Sequence, residues 1–106
     1  MSKIRVIYIA PGADAEEREV ENTLEALQEL VGGNIETVTI ESDCVVVCNE
    51  EGRINGMPYN CHVCNIDFYG PVFFCGIEGD EFADMPLGLH MFISLGVVRR
   101  VRRCEE

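Results

Sequence analysis

Four short apolar runs, each cut off by residues that break regular backbone, constrain the fold of this chain more than any other feature. Residues 3 to 10 are rich in β-branched and aromatic side chains and stop at Pro11-Gly12. Asn34 to Glu41 sets Ile35, Thr37 and Thr39 against Glu36, Val38 and Ile40, and Ser42-Asp43 then turns the chain into Cys44-Val-Val-Val-Cys48. Gly70-Pro-Val-Phe-Phe-Cys-Gly76 carries breakers at both ends. Runs of this length and composition read as strands, and the two joined at Ser42-Asp43 read as an antiparallel pair.

A helical period is firm in one segment. Val20, Leu24, Leu27, Leu30 and Val31 recur at spacings of three and four, which puts them on one face of a helix over 23–31. Asn22 with Glu25 three positions on resembles a capping box, and Gly32-Gly33 supplies the left-handed backbone that ends a helix. Residues 15–21 fit either a backward extension of that helix or a charged edge strand. Pro86 and Gly88 leave Met85 to Leu95 open between helix and strand, so a second helical segment near 80–95 is an alternative. The expectation is one α+β domain over 1–98, a mostly antiparallel sheet with one amphipathic helix, followed by a basic tail at 99–106. A chain of 106 residues fits one core.

Charge bounds the function. Residues 1–98 hold 17 acids against 4 bases, net −13, whereas the tail sets Arg99, Arg100, Arg102 and Arg103 against Glu105 and Glu106. Phosphate binding requires clustered Lys and Arg, so direct binding of nucleic acid is not expected. The start Met1-Ser2-Lys3 runs straight into a short, charge-interrupted strand, too short for a signal peptide or membrane span. The expected location is the cytoplasm, without membrane contact, where the six cysteines stay reduced.

Between Cys48 and a weakly patterned stretch running to Tyr69 lies Asn49-Glu-Glu-Gly-Arg-Ile-Asn-Gly-Met-Pro-Tyr-Asn60. Glu51-Gly52 and Asn55-Gly56 are both strong turn signals. The expected geometry is a hairpin turn at Glu50 to Gly52, a brief return strand over Arg53 and Ile54, and a second bend fixed by Pro58. Asn49, Gly52, Arg53, Asn55, Gly56, Pro58 and Asn60 are therefore corner residues first. Their alternative is a phosphate site, because backbone N–H groups in Gly-rich turns can hold anions.

That corner, the helix Asn22-Thr-Leu-Glu-Ala-Leu-Gln-Glu-Leu-Val-Gly-Gly33, and Gly70 to Gly76 followed by Gly79-Asp-Glu-Phe82 resemble a family of small domains of unknown function. Its members are encoded chiefly by bacteriophages, plasmids and other mobile elements of bacteria. The resemblance covers most of residues 3–84 and implies a fold and a genomic neighbourhood, with no assigned activity. Cys61-His62-Val63-Cys64 and the arginine-rich tail stand apart from that pattern.

Chemistry-bearing groups are sparse. Zinc would need two ligands beyond the single C-x-x-C at Cys61 and Cys64, with His62 and a remote Cys44, Cys48 or Cys75 as candidates. Cys44 and Cys48 lie about 13 Å apart in a strand at ~3.3 Å per residue, so one ion cannot take both. Buried cysteines acting as small apolar groups are the simpler reading, and no cofactor is expected. No nucleophile elbow, dinucleotide fingerprint or Walker loop occurs, which argues against an enzyme. His90, among Leu89, Met91 and Phe92, reads as a packed histidine.

Three functions follow as expectations. The first is an acidic interaction protein of a mobile element, concretely a counter-defence inhibitor of the anti-CRISPR kind, meeting a basic nucleic-acid-binding surface of a host protein through Glu16, Glu17, Glu19, Glu21, Glu25, Glu29, Glu50 and Glu51. The second is an oligomeric sponge for a nucleotide, and the third an accessory domain with no site of its own. Arg99, Arg100, Arg102 and Arg103 are either solvated or laid on the acidic body of a second copy as a homodimer.

Overall fold

The computed structural model describes residues 2–100. Its elements run β1 (Lys3–Ile9), β2 (Glu16–Glu21), α1 (Leu24–Val31), β3 (Ile35–Glu41), β4 (Cys44–Asn49), β5 (Tyr59–Val63), β6 (Ile66–Tyr69), β7 (Val72–Glu78), β8 (Glu81–Ala83) and α2 (Leu89–Ser94). The main sheet has the order β2-β1-β7-β4-β3 with every pairing antiparallel, and β5 and β6 form a separate hairpin. The architecture is α+β and mostly antiparallel, with two short helices.

Alternation along the central strands builds two cores, one on each face. Ile4, Val6, Val45, Val47, Phe73 and Cys75 lie under Leu27 and Val31 of α1. Ile7, Val46, Cys48 and Phe74 turn to the opposite face and meet Cys61, Val63 and Phe68 of the β5–β6 hairpin and Phe92 of α2. Phe74 and Phe92 pack edge to face at 4.8 Å between centroids. β4 is therefore buried along its whole length, an unbroken apolar run in an antiparallel sheet because both faces are covered.

β8 pairs the far end of β7 and lies beside β1, where Arg5 accepts from Met85 N at 2.8 Å and donates its own N–H to Asp84 Oδ1 at 2.8 Å. Gly76 makes room for this, since a Cβ there would stand 2.2 Å from the Asp84 carbonyl oxygen. The Arg5 guanidinium reaches the carbonyls of Met85 and Leu87 and pins the segment that leads into α2.

The structure decides the readings left open and corrects several others. Residues 16–21 form an edge strand rather than a helical extension. Thr23, not Asn22, caps α1, its Oγ1 accepting from Ala26 N at 3.2 Å, because Asn22 is drawn away to donate to the Phe82 carbonyl at 3.1 Å. Gly32 ends α1 at φ 79° as its sequence position predicts. Arg53 and Ile54 form no return strand: residues 50–56 are continuous turns. The stretch to Tyr69 is the β5–β6 hairpin, and the segment at 85–95 yields α2 over Leu89–Ser94. His90 is exposed, and Phe92 is the residue α2 buries. Among the described residues no helix is long and apolar enough to cross a membrane.

Candidate interaction surface

The eight acids expected at an interface fall into three groups, with Glu19 apart from them. Glu16 pairs with Arg18, whose guanidinium lies 4.0 Å over the Tyr8 ring. Glu17 accepts from Leu89 N at 2.8 Å and approaches Arg5 at 3.5 Å. α2 begins at Gly88, which has no side chain to cap it, and the Glu17 carboxylate does that work from β2. These two acids serve the fold.

Glu21, Glu25 and Glu29 share an open depression of about 620 Å³ with Thr23 and Gln28, and among the described residues no lysine or arginine lines it. Glu25 and Glu29 stand one turn apart on the outer face of α1. Glu50 and Glu51 lie beyond the C-terminal end of α1, because Asn49 binds that end to the corner. Its Nδ2 donates to the Val31 carbonyl at 3.1 Å, and its Oδ1 accepts from Glu51 N at 2.7 Å. Glu19 is on β2 opposite Arg5, on the other face.

The corner is built from self-contained turns. The N–H groups of Glu50, Glu51, Gly52, Asn55, Gly56 and Met57 all bond within the chain, to Asn34 O, Asn49 Oδ1, Asn49 O, Glu51 O, Arg53 O and Gly52 O. The donors that a phosphate would need are largely spent. Arg53, 5.4 Å from the Tyr69 ring centroid, is among the described residues the one cation in a groove of about 210 Å³ that also contains Glu36, Glu50 and Asp67. Pro58 and Asn60 tie the corner to the hairpin. The Pro58 carbonyl accepts from Gly70 N at 2.8 Å, and Asn60, 2 % exposed, donates to Ile9 O and Gly70 O at 2.9 and 2.8 Å.

The C-x-x-C is split by the hairpin that carries it. Cys61 points into the core, where burial pushes its thiol up to about 12, opposite the shift a metal thiolate needs. Cys64 and Asn65 are the two central residues of a tight turn, with φ 52° and 66°, between the paired Val63 and Ile66. Both positive angles are those of a type I′ turn, so Cys64 stands at an exposed tip. Cys75 faces the α1 side of the sheet and Cys44 and Cys48 the other. His62 Nδ1 lies 2.8 Å from Asp67 Oδ1, which also accepts from the Tyr59 hydroxyl at 3.3 Å. Among the described residues no three His, Cys, Asp or Glu side chains gather as a metal set.

Two of the four tail arginines fall within the described residues. Arg99 continues the hairpin, exchanging backbone hydrogen bonds with His62 at 2.6 and 2.9 Å. Arg100 is not the solvated group its sequence suggests: its guanidinium donates to Ala10 O, Ala13 O and Asn60 O at 3.1, 2.6 and 3.2 Å. Sequence reasoning missed this staple because carbonyl acceptors leave no residue signature. Arg102 and Arg103 lie outside the described residues.

A small α+β domain with an acidic helix face and no assembled catalytic or metal constellation among its described residues is thus the class of protein defined here. Residues 4–92 match the family described as Domain of unknown function (DUF3846), and the chain belongs to that family. No curated protein and no solved structure matches it.

Proposed function

We propose that this protein acts without catalysis, as an acidic interaction protein of a bacterial mobile element that docks on a basic, nucleic-acid-binding surface of a host protein. The most concrete form is a counter-defence inhibitor of the anti-CRISPR kind, working in the cytoplasm of the host cell. The observation that carries the reading is the depression holding Glu21, Glu25 and Glu29, lined by no cation among the described residues, on a chain of net charge −11. RNA-guided nucleases hold nucleic acid in arginine-rich channels, and clustered carboxylates can occupy such sites by charge-assisted hydrogen bonds. Glu16 and Glu17 leave the contact set because each is engaged within the chain.

The test is the triple variant Glu21→Lys, Glu25→Lys, Glu29→Lys against the parent in DNA-cleavage assays with a panel of RNA-guided nucleases. Loss of inhibition by more than tenfold, with an unchanged melting temperature, is the expected result. Equal inhibition by both proteins would refute the reading. The nucleotide-sponge alternative draws no support from the corner, whose N–H groups are mostly bonded within the chain. A rise in melting temperature with any member of a nucleotide panel would nevertheless favour it over the first reading.

A further inference from the structure

The two edges of the main sheet are unlike. β2 closes one edge with five charged residues out of six, the usual protection against pairing with another strand. β3 closes the other, and from Ile35 to Thr39 it keeps regular register with β4 and carries one charge, Glu36. Because Glu50 N bonds Asn34 O and antiparallel bonding alternates, Ile35, Thr37 and Thr39 turn their N–H and C=O groups away from β4. Among the described residues no hydrogen bond reaches those groups.

The edge is flanked by two grooves on one face of the sheet. Val38 forms part of the corner groove of about 210 Å³ with Ile66 and Tyr69, and Ile40 part of a second, of about 280 Å³, with Leu87, Leu95 and Val97. Ile66 is 40 % exposed and Leu95 58 % exposed, so apolar surface remains uncovered in both. Glu36, Glu50 and Asp67 rim the first groove, Glu41 and Asp43 the second, and among the described residues Arg53 is the single cation.

We propose that the β3 edge is a docking site for an extended segment of a partner protein that turns apolar side chains, flanked by lysine or arginine, toward the two grooves. Such a segment adds as a further strand: its backbone satisfies Ile35, Thr37 and Thr39, its apolar side chains enter the two grooves, and the cations on the same face beside them meet the carboxylates that rim the grooves. A second copy of this chain fits less well, because pairing two β3 strands brings the acidic rims of two chains of net charge −11 together. The site lies apart from the acidic face of α1 and goes beyond the function proposed for that face.

The probe is a capped peptide as long as β3 at 7 residues, with lysine at both ends, valine at the third and fifth positions and threonine between, titrated into isotope-labelled protein while backbone amides are followed by NMR. Shifts concentrated at Ile35, Thr37 and Thr39, with slowed hydrogen exchange there, are expected. Thr37→Pro removes an outward N–H without breaking a ladder bond and should weaken binding at least tenfold. Should that variant misfold, Glu36→Lys, at an exposed position, should weaken the lysine peptide and admit one with glutamate in place of lysine. Unaltered binding by whichever of these variants folds, shifts confined to α1, or concentration-dependent broadening of β3 without peptide would each overturn the proposal, the last by showing a second copy as the occupant. Glu25→Lys with Glu29→Lys should leave peptide binding unchanged, so failure of the α1 reading stays distinguishable from failure of this one.

Discussion

Burial sets the chemistry of the cysteines residue by residue. It pushes the thiols of Cys61 and Cys75, both fully buried, up to about 12, and those of Cys44 and Cys48 up to about 11. Each of these thiols keeps its proton to higher pH when folded than when unfolded. Their contribution to stability is complete below about pH 8.5, the unfolded value, and is lost as pH rises through the folded value. Resistance to urea should therefore fall between pH 9 and pH 11, with Cys61 and Cys75 each adding up to about 1.4 kcal/mol per pH unit to the slope. Cys75→Ala should lower stability at pH 7 and flatten the alkaline slope. An unchanged slope would show that Cys75 is not the proton-holding group its burial makes it.

At the scale of elements, the corner is where backbone crowding decides the fold. A Cβ on Gly52 would stand 2.4 Å from the Tyr69 carbonyl oxygen, so Gly52→Ala forces the corner off the hairpin and should cost about 3 kcal/mol. Gly56 has φ 74° and open space around it, so Gly56→Ala should cost only the ~1 kcal/mol of left-handed backbone. Denaturant titrations of the two variants should differ by that margin; equal losses would mean that the corner does not pack against Tyr69. The corner's turn residues were legible in sequence, whereas its path was not, because Asn49 captures Glu51 N and diverts the chain from the expected return strand. The β5–β6 hairpin stayed hidden for related reasons: it buries Asn60 where alternation suggests an apolar residue, and it turns on Cys64-Asn65 instead of a glycine pair. β1, β3, β4, β7 and α1 were legible because packing on the sheet faces imposes the periodicity that sequence displays. β2 carries no such signature, since an edge strand protected by charge has only Val20 to mark its inner face.

For the whole molecule, charge outweighs any single contact. The acids number 19 against 8 bases, and the ion pairs among the described residues include Arg5 with Glu17 and Arg18 with Glu16. Most carboxylates therefore repel one another across a body of 43 × 30 × 22 Å. The screening length is roughly 30 Å at 10 mM salt and about 8 Å at 150 mM, so low salt lets that repulsion act across the molecule and physiological salt confines it to neighbours. The melting temperature should accordingly rise by a few degrees between those two concentrations of sodium chloride, about 1 kcal/mol of relieved repulsion. A fall instead would mean that ion pairs such as these outweigh the net charge. The same titration reads the tail. If Arg99, Arg102 and Arg103 bridge to the acidic body of a second copy, sedimentation should show mass falling with salt while the melting temperature rises, because screening weakens attraction between chains as it relieves repulsion within them. Arg100 cannot add to that bridge without giving up Ala10, Ala13 and Asn60, so Arg100→Met should lower the melting temperature and leave any salt-dependent association unchanged.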